Sequence, residues 1–220
     1  MSRSVCGGST STAPDPWFTA VGLAAVGGLV LGLATLPLQG VLSRWGDLAN
    51  SGAVWSVGAF VAGMLLRGDT RRSAVAGAVV LVGAVLGYYG GARLLLPGPP
   101  TLGVPVATVA WAVVGCVAGP VFGVAGSWWR DERPIRRVAS PAILGGAFIA
   151  EGLTRLIVLG YVREAAVAGM IGVLVPLVLG RTGRDRLHGL LALIPAGALG
   201  LGAFLLLEQV LELVFLHPRQ

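Results

Sequence analysis

Residues 138–160 read VASPAILGGAFIAEGLTRLIVLG, an apolar run long enough to cross a bilayer that nevertheless contains Glu151 and Arg155. A carboxyl and a guanidinium at bilayer depth cost about 3 kcal/mol each on insertion scales. The two residues are four positions apart and therefore share one face of a helix. A chain that keeps such a pair there uses it for chemistry, for ligand binding or to hold helices together.

The rest of the chain predicts an all-α integral membrane protein, a single bundle of about seven transmembrane helices. Of its 220 residues, 55% are hydrophobic and only 12% are charged, and the mean hydropathy is +0.83. Residues 1–16, rich in Ser, Thr, Gly and Pro, predict a disordered tail before a bundle over residues 17–216. The predicted spans are Trp17–Leu42, Gly52–Leu66, Ser73–Leu96, Pro105–Trp129, Val138–Gly160, Arg163–Gly180 and Leu187–Phe215.

The arginines predict the orientation of this bundle. Arg3 and the basic residues of the second, fourth and sixth predicted loops lie on one side of the membrane, and few basic residues lie on the other side. Because cytoplasmic loops carry the excess of basic residues, we expect the N-terminus in the cytoplasm and the C-terminus outside a plasma membrane. The loop arginines on the predicted cytoplasmic side are Arg67, Arg71, Arg72, Arg130, Arg133, Arg136, Arg137, Arg181, Arg184 and Arg186.

Composition excludes several classes of protein. All the basic side chains are Arg, and with the excess of Ala, Gly and Val this is typical of GC-rich coding and an actinobacterial source. No interleaved basic and aromatic surface is present, which argues against a nucleic-acid partner. Cys6 and Cys116, and His188 and His217, lack the spacing of a metal or redox site, so we expect neither a metal nor a cofactor.

Glycines recur at four-residue spacing in three of the predicted helices. They are Gly28 and Gly32, then Gly83, Gly87 and Gly91, then Gly115, Gly119 and Gly123. Such rows let helix backbones approach closely in lipid, so we interpret them as packing seams.

Polar and aromatic residues within the spans converge on the predicted outer half of the bilayer. This segregation predicts a polar-rimmed, aromatic-lined cavity that opens outward. The candidate acids are Glu151, Glu208 and Glu212, and the candidate substrate-binding residues are Asn50, Trp55, Tyr88, Tyr89, Arg93, Trp111 and Arg155.

Each group also has a purely structural interpretation. Glu151 and Arg155 can pair along one helix face, and the Trp and Tyr rings suit the interfacial belt. Glu208 and Glu212 end a long helix, where they can reach water. Asn50 is a helix-cap candidate before the second span.

Four strings carry a family resemblance: LANSGAVW at 48–55, GYYGG at 87–91, GPVFGVAGSWWR at 119–130 and AEGLTR at 150–155. They resemble a family of small actinobacterial multi-pass membrane proteins of unknown function. In size, span number and buried acid the chain is also similar to the membrane-bound terpene cyclases of prenylated-indole and drimentine-type pathways. That second resemblance implies an isomerase of terpenoid secondary metabolism, supplied by an upstream prenyltransferase.

The residues are compatible with a cyclase that starts by protonation and loses no diphosphate. No Asp-rich diphosphate motif is present. A carboxyl buried in low dielectric favours its neutral form, so Glu151 could keep a proton for a farnesylated indole-type substrate. Trp and Tyr faces would stabilise the carbocation. Direct pairing with Arg155 would instead favour the carboxylate; Glu208 or Glu212 would then supply the proton, or Arg155 would anchor a polar head group.

Two other functions fit the same residues. The alternative is a small-molecule-binding or transport membrane subunit with an outward-facing polar cavity. A third is a structural role in which the Glu151–Arg155 pair holds helices together, so that joint replacement by apolar residues would cost little but stability.

Overall fold

A computed structural model describes the backbone of residues 16–42, 45–66, 68–96 and 103–216, and the side chains of residues 17–42, 45–66, 68–96 and 104–210. The described residues form helices joined by short connections. In chain order the helices are α1 (Pro16–Val41), α2 (Gly46–Ala49), α3 (Gly52–Leu65), α4 (Thr70–Leu95), α5 (Gly103–Trp128), α6 (Pro134–Ile157), α7 (Val162–Leu179) and α8 (Gly183–Leu216).

The seven long helices confirm the predicted all-α membrane bundle, with ends within a few residues of the predicted spans. Six segments of the described chain are long and apolar enough to cross a membrane, one of which joins α2 to α3. Helix α6 falls outside that set because it carries Glu151 and several arginines. The chain is therefore a multi-pass membrane protein. The predicted disordered tail, apart from Pro16 at the start of α1, lies outside the described residues.

Local signals set the ends of several helices. Ser51 is the N-cap of α3 and accepts a hydrogen bond from Val54 N, so the prediction that Asn50 caps this helix is wrong. Asn50 instead follows the last residue of α2. Asp69 caps α4 and extends it beyond the predicted apolar run. After α6, Gly160 takes a φ of 70°, and the next N–H donates to the carbonyl of Arg155.

The helices pack in two groups that meet along α6. Helix α4 lies between α1 and α5, with α3 against α4 and α5, while α6 packs on α7 and α8. The glycine rows confirm the predicted seams. A Cβ built on Gly32 would overlap the Ala84 carbonyl oxygen, and one on Gly123 would overlap the Ser73 carbonyl oxygen. Close backbone approach thus replaces side-chain packing at these crossings.

A hydrophobic core joins the two groups of helices. Its buried members come from α3, α5 and α6, and partly buried residues of α7 pack against it. Trp129 also ties the groups together, since its indole N–H donates to the Leu179 carbonyl at 3.0 Å. The buried residues of this core are Ala53, Phe60, Ala125, Leu144, Ala147 and Phe148.

Arginines from the three basic loops lie at one end of the bundle, which we call the arginine end. There Arg137 makes a bidentate ion pair with the buried Asp185, with both hydrogen bonds at 3.0 Å. Asp69 pairs with Arg72, and Asp131 pairs with Arg136. The positive-inside rule assigns this end to the cytoplasm. Helix α2 and the last turns of α4 and α6 lie at the other end, which we call the opposite end.

Candidate functional site

Glu151 fixes the start of α3 from across the interface between the two groups of helices. Its Oε2 accepts hydrogen bonds from Ser51 Oγ at 2.7 Å and from Ala53 N at 2.9 Å. The carboxylate therefore lies at the N-terminus of α3, where exposed N–H groups and the helix dipole favour negative charge. Only 6% of Glu151 is exposed.

Arg155 completes this arrangement from the next turn of α6. Its Nε and Nη2 donate to Glu151 Oε1 at 3.0 and 2.6 Å. Nη2 also donates to the Asp47 carbonyl at 2.9 Å, which ties α6 to α2. We call Ser51, Glu151, Arg155 and the Asp47 carbonyl the polar lock, because their contacts hold α2 and α3 against α6.

The contacts of Glu151 are those of a charged carboxylate. Both oxygens accept from donors: Arg155 supplies two bonds, Ala53 N supplies one and Ser51 Oγ supplies one. Ser51 Oγ is already an acceptor for Val54 N, so its own proton points to Glu151. A protonated Glu151 would carry a hydrogen on one of its oxygens, and both oxygens already face hydrogen-bond donors. This is the direct pairing that leaves Glu208 and Glu212 as the candidate acids.

Aromatic residues form a second constellation at the opposite end. The Trp55 and Tyr88 rings lie 5.9 Å apart, and the Tyr88 and Tyr89 rings meet edge to face at 5.2 Å. The Trp55 indole N–H donates to Thr35 Oγ1 at 3.2 Å, and Asn50 Nδ2 lies 3.5 Å from the Tyr88 hydroxyl. We call these five residues the aromatic group. The structure thus brings together four of the predicted site residues from α3, α4 and the segment after α2.

The other predicted residues do not join either constellation. Arg93 is exposed in the last turn of α4. Trp111 is half-buried on α5 and makes no ring contact with another described aromatic residue. Glu208 is half-buried on α8, one turn beyond Phe204, whose ring lies against Gly52. The side chain of Glu212 lies outside the described residues.

The aromatic group forms a patch on the flank of the bundle. Trp55, Tyr88 and Tyr89 are each half-buried, and Asn50 is exposed. Two clefts, of about 370 and 410 Å³, lie at the arginine end and contain no residue of this group. Within the described ranges, no cluster of three or more His, Cys, Asp or Glu residues is placed to hold a metal ion.

Sequence reasoning missed three participants in these sites. Ser51 could have been found, because Ser ranks with Asn among preferred N-caps and is one residue nearer to the apolar run. Thr35 and the Asp47 carbonyl had no such signal, since their roles depend on contacts across 20 and 108 residues of sequence.

Comparison with known proteins gives one relationship. No curated protein and no solved structure matches the chain. A family model described as a family of unknown function, DUF6518, matches residues 11–210, which include both the polar lock and the aromatic group. The chain therefore belongs to the DUF6518 family.

Proposed function

We propose that the protein binds a lipophilic small molecule bearing an aromatic or hydrogen-bonding group, and that the ligand reaches the aromatic group from the lipid phase. The observation that carries this proposal is the connected set of Asn50, Tyr88, Trp55 and Thr35 on the flank of the bundle. The set presents ring faces and polar atoms together, which is the chemistry of a small-molecule site.

Unused hydrogen-bonding capacity supports the proposal. Within the described part of the chain, the Tyr89 hydroxyl has no hydrogen-bond partner, and the 3.5 Å contact of Asn50 with Tyr88 is long for a hydrogen bond. Polar atoms at membrane depth are costly unless they are satisfied. A ligand with a hydroxyl, amide or indole N–H would supply the missing partner.

The polar lock serves this site by positioning it. Ser51 caps α3, and Trp55 follows one turn later, so the bonds that Glu151 accepts from Ser51 and Ala53 fix the start of the helix that carries the indole. In this role Glu151 and Arg155 position the aromatic group and do not touch the ligand.

Equilibrium binding in nanodiscs tests the proposal. The probes are farnesylated indole and related prenylated aromatics, and the variants are Trp55→Leu and Tyr89→Leu. Tyr161→Leu is the matched control, because Tyr161 is 44% exposed in the α6–α7 connection at the same end but outside the aromatic group. We expect each site variant to weaken binding roughly tenfold, about 1.4 kcal/mol, and the control to bind as wild type.

Equal losses in all three variants would mean that the rings act only as an interfacial belt. Unchanged binding in the site variants would remove the aromatic group from the site. Thermal unfolding of each variant, measured without ligand, separates a lost contact from a lost fold.

A cyclase is the second candidate, and Glu208 is the observation that favours it. Its half-buried carboxyl has no ion pair within the described ranges, and the Phe204 ring, one turn before it, packs on the first residue of α3. As an acid, Glu208 could protonate a prenyl alkene of a ligand bound nearby, and Trp55 and Tyr88 would face the carbocation. Loss of a proton from the cyclised cation back to the Glu208 carboxylate would give the isomer and restore the acid.

Mass spectrometry of membranes incubated with farnesylated indole tests the cyclase. The expected product has unchanged mass and shifted retention, and it disappears in Glu208→Gln while binding persists. An active Glu208→Gln variant would exclude this acid, and bound but unchanged substrate would leave only the binding function.

A further inference from the structure

A second polar site lies at the arginine end, remote from the aromatic group. It is a cleft of about 370 Å³ between the α3–α4 connection and the α5–α6 connection. Its lining is rich in hydrogen-bond donors and in Arg, and it consists of Gly68, Thr70, Ser127, Trp128, Arg130, Asp131, Glu132, Arg133 and Arg136.

The cleft holds positive charge that the described residues leave unpaired. Arg130 and Arg133 are exposed, and within the described ranges neither guanidinium makes a direct ion pair, although the charge of Arg133 also acts on Asp131. The Arg130 guanidinium lies 4.3 Å from the centre of the Trp129 ring, which holds it at the rim. Arg136 shares its charge with Asp131 at 3.2 Å and lies over the Trp128 ring.

Donors without acceptors lie in the same region. The Trp128 indole nitrogen is buried and has no hydrogen-bond partner in the described structure, although Trp128 lines the cleft. Helix α6 begins at Pro134 beside it, and the Arg133 side chain makes no capping bond to that helix. An indole N–H, free guanidinium groups and an uncapped helix N-terminus all favour an acceptor-only anion.

The acids of the cleft do not occupy these donors. Asp131 Oδ1 accepts from Arg133 N at 2.8 Å, and its other oxygen accepts from Arg136. Both oxygens of Asp131 therefore bind donors of its own segment, the α5–α6 connection and the first turn of α6. Glu132 is exposed.

The surroundings favour a lipid as the source of the anion. Ile135 is 83% exposed beside the cleft, and Leu65 is 80% exposed at the end of α3. Three indoles lie at this end, those of Trp17, Trp128 and Trp129, and the Arg72 guanidinium lies over the Trp17 ring. Amphipathic rings prefer this level of a bilayer, the interface with water. We infer that this cleft binds the phosphate of an anionic phospholipid in the cytoplasmic leaflet, with Arg130, Arg133 and Trp128 as its donors.

Lipid competition in nanodiscs tests the inference. The purified full chain is placed in discs of phosphatidylcholine with increasing phosphatidylglycerol, and bound lipid is counted by native mass spectrometry. The test variant is Arg130→Gln with Arg133→Gln. The control is Arg181→Gln with Arg184→Gln, which removes the same charge from exposed positions in the α7–α8 connection and the first turn of α8, outside the cleft.

We expect the preference for phosphatidylglycerol to fall about tenfold in the test variant and less than threefold in the control. Equal losses would mean that the whole basic end attracts anionic lipid without a site, which overturns the inference. A wild-type preference in the test variant would also overturn it.

Two further measurements identify the group that is recognised. Trp128→Phe keeps an aromatic ring but removes the N–H, and we expect it to lower the preference while thermal unfolding stays close to wild type. Inorganic phosphate at millimolar concentration should not displace the bound lipid. Displacement would show a site for a free phosphate and overturn the assignment to a lipid.

Discussion

Glu151 reaches across the bundle to Ser51, a hundred residues earlier in the chain, and the two side chains together cap the N-terminus of helix α3. Ser51 Oγ accepts from Val54 N at 3.2 Å and donates to Glu151 Oε2 at 2.7 Å. One hydroxyl thus caps its own helix and binds that helix to α6. The charge that is costly at this depth is neutralised by Arg155 and by the N-terminus of α3.

Glu151→Gln should destabilise the protein strongly. The substitution removes the partner of the buried Arg155 guanidinium, and breaking a buried pair in this way costs about 3 kcal/mol. Unfolding by denaturing detergent in mixed micelles measures the loss.

The double variant Glu151→Leu with Arg155→Leu is the companion test of the same pair. We expect it to be more stable than Glu151→Leu alone, since no charge is left unpaired. A double variant whose losses simply add would show that the two side chains do not act as a pair.

Ser51→Ala should lower stability by about 1–2 kcal/mol, because it removes both a helix cap and a donor to Glu151. The effect should shrink in a Glu151→Leu background, where one of the two bonds is already absent. Ser56→Ala is the control on the same helix: its hydroxyl donates only to the Gly52 carbonyl of α3. Equal losses at both positions would argue against the bond between helices.

Gly32→Ala should disrupt the contact of α1 with α4 at a cost of about 1–3 kcal/mol. A Cβ there would overlap the Ala84 carbonyl oxygen, which belongs to a helix backbone and cannot move aside. Gly27→Ala is the matched control, since a Cβ at that position of α1 meets nothing within 4 Å. Thermal unfolding should show a lower midpoint for Gly32→Ala alone, and similar midpoints would contradict the seam.

Asp131 should make the α5–α6 connection sensitive to acid. The backbone N–H of Arg133, and then the Arg136 guanidinium, hold the pKa of Asp131 below its usual value of 3.8. A depressed carboxyl pKa contributes stability above about pH 4, and that contribution is lost as the pH falls through the lower folded value. The difference in unfolding midpoint between wild type and Asp131→Asn should therefore be present at neutral pH and vanish in acid. A difference that is independent of pH would contradict the assignment.

Hydropathy and spacing were enough to predict the bundle. The span predicted from Trp17 is helix α1 from Pro16, and the one predicted from Arg163 is α7 from Val162. The larger shifts occur where residues outside the apolar run extend a helix, as Thr70 and Pro134 do at the starts of α4 and α6. Asp69 caps α4 and Pro134 occupies the first position of α6, and hydropathy registers neither signal.

The candidate sites were only partly predictable. The predicted depth of Asn50, Trp55 and Tyr88 in the membrane was enough to predict that they lie near one another, and the structure brings them together. The pairing of Glu151 with Arg155 followed from helical spacing. The contacts of this pair with Ser51 and Asp47 could not be predicted, because no local sequence pattern shows which helix packs against which. The outward cavity was inferred from the same depth argument, and it stays a prediction.

Photo-cross-linking of a ligand in intact membranes tests the proposed function most directly. A farnesylated indole with a diazirine on the prenyl chain is irradiated with the protein, and the modified peptides are identified by mass spectrometry. We predict modification within residues 50–57 and 86–89, reduced by excess unlabelled ligand and by Tyr89→Leu. Modification confined to the arginine end, or spread evenly over all exposed helices, would contradict the proposed site.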